Sequence, residues 1–116
     1  MITKELQRTF ANAVEEATRR RHEYLTLEHL LLALTADPDA SRVLRECGAD
    51  LDDLRQDLTE FLEKNLKPAP GSDEIVPTET VTFRRILEHA VLHVQSSGRD
   101  ELDGAHLLAS LYHAKN

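Results

Sequence analysis

The stretch Thr26-Leu27-Glu28-His29-Leu30-Leu31-Leu32-Ala33-Leu34 returns later in the chain as Asp103-Gly104-Ala105-His106-Leu107-Leu108-Ala109-Ser110-Leu111. Each copy opens on a residue whose side-chain oxygen can cap a helix, places histidine three residues on, and then presents leucine at the spacing of one helical face. One such segment reads as a helix start, and two read as a duplication. Upstream, Phe10, Val14 and Ala17 meet Phe83, Leu87 and Ala90 at a shift of 73, whereas the His-Leu-Leu segments match at 77. The four-residue difference is expected in the connecting loop, and two copies packed about a pseudo-twofold are the economical architecture.

Working outward, Leu6, Phe10, Ala13, Val14 and Ala17 form the stripe of a first helix over about residues 3–21, with Arg19-Arg20-Arg21 answering its dipole. Asp37-Pro38 stops the second helix. A short third is expected over residues 41–47, with Val43, Leu44 and Cys47 inward and Gly48 as a left-handed cap. Asp50 caps a fourth in which Leu51, Leu54, Leu58, Phe61 and Leu62 recur on one face. Pro68, Pro70, Gly71 and Pro77 make residues 67–79 a linker. A fifth helix, capped by Thr80 or Thr82, carries Phe83, Ile86, Leu87, Ala90, Val91 and Val94 and ends at Ser96-Ser97-Gly98; Asp103 caps a sixth. No alternating strand pattern of useful length appears. The expected fold is all-α and a single domain: repeat one over 1–66, the linker, and a partial repeat two over 80–116. The second copy reads as incomplete, either because the chain is cut at Asn116 or because six helices suffice.

With 14 Lys and Arg against 21 Asp and Glu, the net charge of −7 repels phosphate backbones and anionic head groups, so neither nucleic acid nor membrane is expected as a partner. Three Phe, two Tyr and no Trp leave the core to aliphatic side chains. The lone Cys47 permits no internal disulfide and reads as a small buried hydrophobe in a reducing compartment. Residues 1–6 hold no apolar signal core and no run approaches the ~18 residues of a membrane span, so a cytoplasmic monomer is expected.

Residues 22–29 crowd His22, Glu23, Glu28 and His29 together, which invites a metal or catalytic reading. The text is His-Glu-x-x-Thr, however, not the His-Glu-x-x-His that sets two imidazoles on one helical face over zinc. A surface zinc held by His22 and Glu63 remains the one metal alternative. His29 has a counterpart in His106, and a duplicated histidine beside duplicated leucines reads as structural, its ring nitrogen bonded to a loop carbonyl. Ser96-Ser97-Gly98 lacks a nucleophile elbow, and no Gly-x-x-x-x-Gly-Lys-Ser/Thr phosphate loop exists. No catalytic residue and no cofactor are expected.

The run from His22 to Leu34, the linker, the duplicated helices and His93-Val94-Gln95-Ser96-Ser97-Gly98-Arg99-Asp100-Glu101 together resemble the Clp N-terminal repeat domain, most closely its ClpA-type members. The resemblance implies a non-catalytic module of an AAA+ unfoldase that docks the adaptor ClpS and protein substrates and passes them to ATP-driven rings feeding ClpP. It implies a docking surface at Glu23, Tyr24 and Glu28, with Thr80 and Arg84 from the start of helix five. Family N-domains usually have eight helices, so two would lie beyond the six read here. The competing reading is a freestanding adaptor that holds apolar peptides in the groove between repeats; a zinc-dependent enzyme is a third.

Overall fold

In the computed structural model, which describes residues 2–113, the expected all-α architecture is observed: α1 (Lys4–Arg19), α2 (Leu27–Leu34), α3 (Pro38–Glu46), α4 (Leu51–Asn65), α5 (Val81–Ser96) and α6 (Gly104–His113). Residues 114–116 of the expected second repeat lie outside the described residues. The caps proposed for α2, α4, α5 and α6 are observed, and α1 adds Thr3 as its cap. Thr3 Oγ1 accepts from the Leu6 N–H and Thr80 Oγ1 from the Phe83 N–H, both at 3.1 Å, which decides for Thr80 over Thr82. Asp103 Oδ1 accepts from the His106 N–H at 2.9 Å, and Asp50 Oδ1 from Asp52 and Asp53. Each such cap removes an orphan donor and contributes about 1 kcal/mol.

These caps correct the repeat register. Thr3 and Thr80, like Thr26 and Asp103, are 77 apart, and the buried residues follow the same shift: Leu6 with Phe83, Ala13 with Ala90, Ala17 with Val94, Leu30 with Leu107. No four-residue difference exists in the loop. A slip of four residues is close to one helical turn, so an apolar stripe matches itself at 73 as readily as at 77. A cap occurs once per helix and has no such ambiguity.

Backbone hydrogen bonds obey the same shift. The Thr3 N–H donates to Leu102 O at 3.0 Å and the Thr80 N–H to Leu25 O at 3.2 Å, so each repeat's first helix is tied to the loop that precedes the other repeat's second helix. The tie on one side forms β1 (Tyr24–Leu25) paired in parallel with β2 (Thr78–Glu79), and on the other a single bridge from Ile2 to Leu102. Two-residue strands fall below any alternating pattern, which is why the sequence reads as strandless. Both first helices end in the same left-handed turn: His22 N–H to Ala17 O matches Arg99 N–H to Val94 O, with Arg21 at φ 57° where the second copy has Gly98 at 81°.

Arg21 holds that conformation with its side chain across the linker. Its Nε donates to Ala69 O (3.1 Å), Nη1 to Asp73 O (2.9 Å) and Nη2 to Pro70 O (3.3 Å), while its own carbonyl accepts from Ala69 N–H at 2.7 Å. The arginine read as answering a helix dipole is therefore a strap. Its neighbour Arg20 pairs with Glu16 and reaches Glu63 at 3.8 Å.

The core joins both repeats through Leu6, Ala13, Ala17, Leu30, Leu34, Phe83, Ala90, Val94 and Leu107, with Phe10 and Phe83 ring centroids 6.3 Å apart. Alanines on α1 and α5 let α2 and α6 approach closely; each fully buried leucine contributes about 2 kcal/mol. Several expectations fail. Val14, read on the apolar stripe of α1, is 40% exposed. Cys47 is exposed, because α3 begins at Pro38 and turns Ala40 and Ser41 inward instead. Proline at the first helical position starts that helix rather than merely stopping the previous one. Phe61 is 42% exposed, with Leu58 and Leu62 carrying the buried face of α4.

Asp37 is the buried polar hinge between these layers. Its Oδ1 accepts from the N–H groups of Asp39 and Ala40 (both 2.9 Å), and its Oδ2 accepts from Thr9 Oγ1 at 2.7 Å. Gly104 opens α6 directly against it: a Cβ there would lie 2.1 Å from Asp37 Oδ1 and 2.5 Å from its Cγ. The carboxylate is held from two sides and has no room to retreat. Gly104→Ala is expected to destabilise the domain by about 2–3 kcal/mol in urea denaturation, as an overpacked core does.

Candidate functional site

The strand pair brings the first loop of repeat one against the start of α5. Tyr24 stands opposite Thr78 and Leu25 opposite Glu79, and the Thr80 N–H donates to Leu25 O, although 54 positions separate the paired residues in the chain. Glu23 is exposed and its carbonyl accepts from the Thr78 N–H at 2.9 Å. Tyr24 is 55% exposed with its backbone fixed in β1. Glu28 occupies the first turn of α2, half-buried, and Thr80 is committed to capping α5. Arg84 Nε lies 3.7 Å from Glu79 Oε1, both side chains at the surface. Glu79 and the 63%-exposed Val81 belong to the same edge and were missed in the sequence, since only strand pairing places them there.

His22 and Leu25, expected on the partner-facing loop, are buried. The loop's base is closed by imidazoles. The Thr26 backbone N–H donates to His29 Nδ1 at 3.0 Å, and Thr26 Oγ1 lies 2.9 Å from the same nitrogen while capping the His29 N–H. A backbone N–H can only donate, so Nδ1 carries no proton and neutral His29 has its proton on Nε2. That Nε2 lies 2.8 Å from His22 Nδ1, which must accept. The Leu66 backbone lies beside the His22 ring. The expected loop carbonyl is thus replaced by a neighbouring histidine and a cap.

The arrangement favours two neutral rings. Burial, and then the His22 ring beside it, pushes His29 down to about 4 from the ordinary 6.5. Burial, and then Arg20, lowers His22, with Glu16 opposing. At the equivalent place in the second repeat the polarity reverses. His106 Nδ1 is 2.7 Å from Asp103 Oδ1, an acceptor-only carboxylate, so Nδ1 donates. Burial works against the Asp103 charge, but hydrogen bonds from the His106 backbone and ring outweigh it and hold the carboxyl low.

A surface zinc at His22 and Glu63 does not match this geometry. His22 is 3% exposed with its ring already hydrogen-bonded to His29, and Glu63 stands exposed near Arg20. Among the described residues, no three His, Cys, Asp or Glu side chains converge as a metal site. Two clefts occur elsewhere, of about 280 Å³ between α5 and α6 and about 440 Å³ among α1, α2 and α4. They are pseudo-equivalent: His89, Ser110 and His113 of one answer to Asn12, Ala33 and Ala36 of the other. Neither runs between the repeats.

A protein-family model described as the Clp repeat (R) N-terminal domain matches residues 1–116. A curated ClpA homolog protein from Fuscovulum blasticum is 44% identical over 110 residues; the match covers 92% of this chain and 14% of that protein. Among solved structures, the Hsp104 N-terminal domain from Candida albicans aligns at 21% identity and TM-score 0.79, over 95% of this chain and 72% of that one. The N-domain of ClpV from Vibrio cholerae aligns at 20% identity and TM-score 0.78, over 98% and 68%. A complex of a ClpV N-domain with a VipB peptide aligns at 19% identity and TM-score 0.75, over 94% and 66%. At these identities the structural likeness is one of fold.

The lowered histidines carry a stability consequence. The unfolded ring takes a proton near pH 6.5 and the folded His29 ring only near 4, so the unfolded state binds more protons in between. Stability is therefore full above pH 6.5 and falls as pH drops toward 4, by about 3 kcal/mol from His29 alone. Urea titrations at pH 7.5 and 5 should show about 2 kcal/mol of that loss, and His29→Asn should remove most of the His29 contribution.

Proposed function

This chain belongs to the Clp repeat (R) N-terminal domain family, and from that premise we propose that it is the docking module of a ClpA-type unfoldase, receiving an adaptor of the ClpS kind. Adaptor-borne substrates then pass to ATP-driven rings and on to ClpP. The module has no chemistry of its own; its sequence contains no phosphate loop. The observation that supports the reading is the pairing of β1 with β2, which brings the loop carrying exposed Glu23 and Tyr24 against the start of α5, where Thr80 and Arg84 belong. Glu23 and Glu28 offer carboxylates to donors on the adaptor, Tyr24 and Val81 offer amphipathic area, and Arg84 offers a cation.

The twofold makes the stoichiometry specific. The twin edge carries Thr3, Gln7, Asp100, Glu101 and Ala105 where the docking edge has Thr80, Arg84, Glu23, Tyr24 and Glu28. It lacks the aromatic ring and the Glu28 carboxylate, and it has Gln7 in place of Arg84 and Lys4 in place of Val81, so one adaptor per domain is expected. A second reading, direct capture of peptide segments, is favoured by the structural neighbour that holds a VipB peptide.

Calorimetric titration with ClpS should give 1:1 binding, weakened by more than about 1 kcal/mol in Glu23→Lys and in Glu28→Lys and reduced by added salt. Glu60→Lys, exposed on α4, should leave it unchanged. Undiminished affinity in both edge variants removes the edge from the reading. Binding of apolar peptides without ClpS binding favours direct capture.

A further inference from the structure

The edge just described is three residues long between two fixed points, and both points are held by the same pair of rings. His22 precedes Glu23, and Thr26 follows Leu25. His29 Nδ1 takes the Thr26 N–H at 3.0 Å, His29 Nε2 reaches His22 Nδ1 at 2.8 Å, and the rings lie 5.0 Å apart at 60°. The two hydrogen bonds run in one direction, from the cap of α2 through His29 to His22, whose ring lies beside the Leu66 backbone where the linker begins. The Nδ1 lone pair of each ring is taken by an N–H, so a proton added at His29 Nδ1 displaces the Thr26 N–H bond and has only Thr26 Oγ1, 2.9 Å away, to turn to.

We infer that the His22–His29 pair is the positioning device of the docking edge: its directed hydrogen bonds hold Glu23–Leu25 in register with β2, and protonation of either ring releases that register while the core stays folded. Adding a proton at His29 Nδ1 sets N–H against the Thr26 N–H; adding one at His22 Nδ1 sets it against His29 Nε2–H. From α1, Glu16 and Arg20 face the pair, one favouring a proton and one opposing it. From α4, Glu63 reaches Arg20 at 3.8 Å, and beyond it Leu66 supplies backbone. The bonds at stake are Thr78 N–H to Glu23 O and Thr80 N–H to Leu25 O. The twin edge supplies an internal control, because Thr3 N–H to Leu102 O sits beside His106, whose ring faces a carboxylate that accepts a proton's charge.

The biological meaning of this inference rests on the docking reading, but its test does not. In the full 116-residue chain labelled with nitrogen-15, both rings should show the Nε2–H tautomer at pH 7. Amide exchange at Thr78 and Thr80, corrected for intrinsic rate, should proceed through an opening less costly than global unfolding measured in urea at the same pH. That opening should become roughly 60-fold more populated from pH 7 to 4.5, the ratio expected when an ordinary imidazole replaces the folded His29. Thr3 should show no such local opening. His29→Asn, which keeps an acceptor for Thr26 but cannot titrate, should flatten the dependence, and His22→Gln serves if that variant does not fold. Exchange at Thr78 and Thr80 that tracks only global unfolding, a pH-independent opening, or an Nδ1–H tautomer at pH 7 overturns the inference. Failure of ClpS binding at every pH would count against the docking reading alone.

Discussion

Two backbone hydrogen bonds, from Thr3 to Leu102 and from Thr80 to Leu25, are the constraint on which the rest of this domain depends. Each lies at the start of a long helix, where four N–H groups lack intrahelical partners, and each is satisfied by a loop of the opposite repeat. Each repeat caps its own first helix with a threonine hydroxyl but leaves that threonine's backbone N–H to the other repeat. The halves therefore form by mutual completion, with Leu6 and Phe83 brought to equivalent places beneath the two ties.

Symmetry of backbone does not enforce symmetry of chemistry. At the positions related by the 77-residue shift, Thr26 answers to Asp103, so one histidine accepts from a backbone N–H while its twin donates to a carboxylate. Arg21 answers to Gly98, so one left-handed turn carries a guanidinium that straps the linker, and the other carries nothing. An αL arginine costs roughly 1 kcal/mol relative to glycine, and the hydrogen bonds to Ala69, Pro70 and Asp73 offset it. The strap in turn sets the path by which the linker reaches β2. The asymmetric half of the molecule is thus the half that bears the docking edge we propose.

Buried polar groups concentrate at the seams between elements. Asp37 joins α1 to α3 beneath Gly104, and His22 with His29 joins the end of α1 to the start of α2 and the end of α4. Arg55 does the same for α4 and α2, its Nε and Nη2 donating to Thr35 Oγ1 and O at 3.0 and 2.9 Å. Among the described residues no buried side-chain polar atom lacks a partner. A core of leucine and alanine specifies packing loosely, whereas such fully satisfied links fix which helix ends meet.

The sequence by itself determined the helices, their caps and the fact of duplication, because apolar spacing, Thr, Asp and Gly act within one or two turns of their own position. It also marked Glu23, Tyr24, Glu28, Thr80 and Arg84, through a resemblance carried by two long motifs. Only the tertiary structure decided that repeat register is 77 throughout, since a stripe displaced by one turn looks unchanged until the caps of both helices are seen. It alone placed His22 inside rather than on the loop surface, and turned Cys47 and Phe61 outward. Strand pairing between residues 24–25 and 78–79 was invisible for a related reason: two-residue strands have no period, and their partners are set by how the repeats pack. Local chemistry writes the ends of each helix; which of those ends touch is a property of the assembled core.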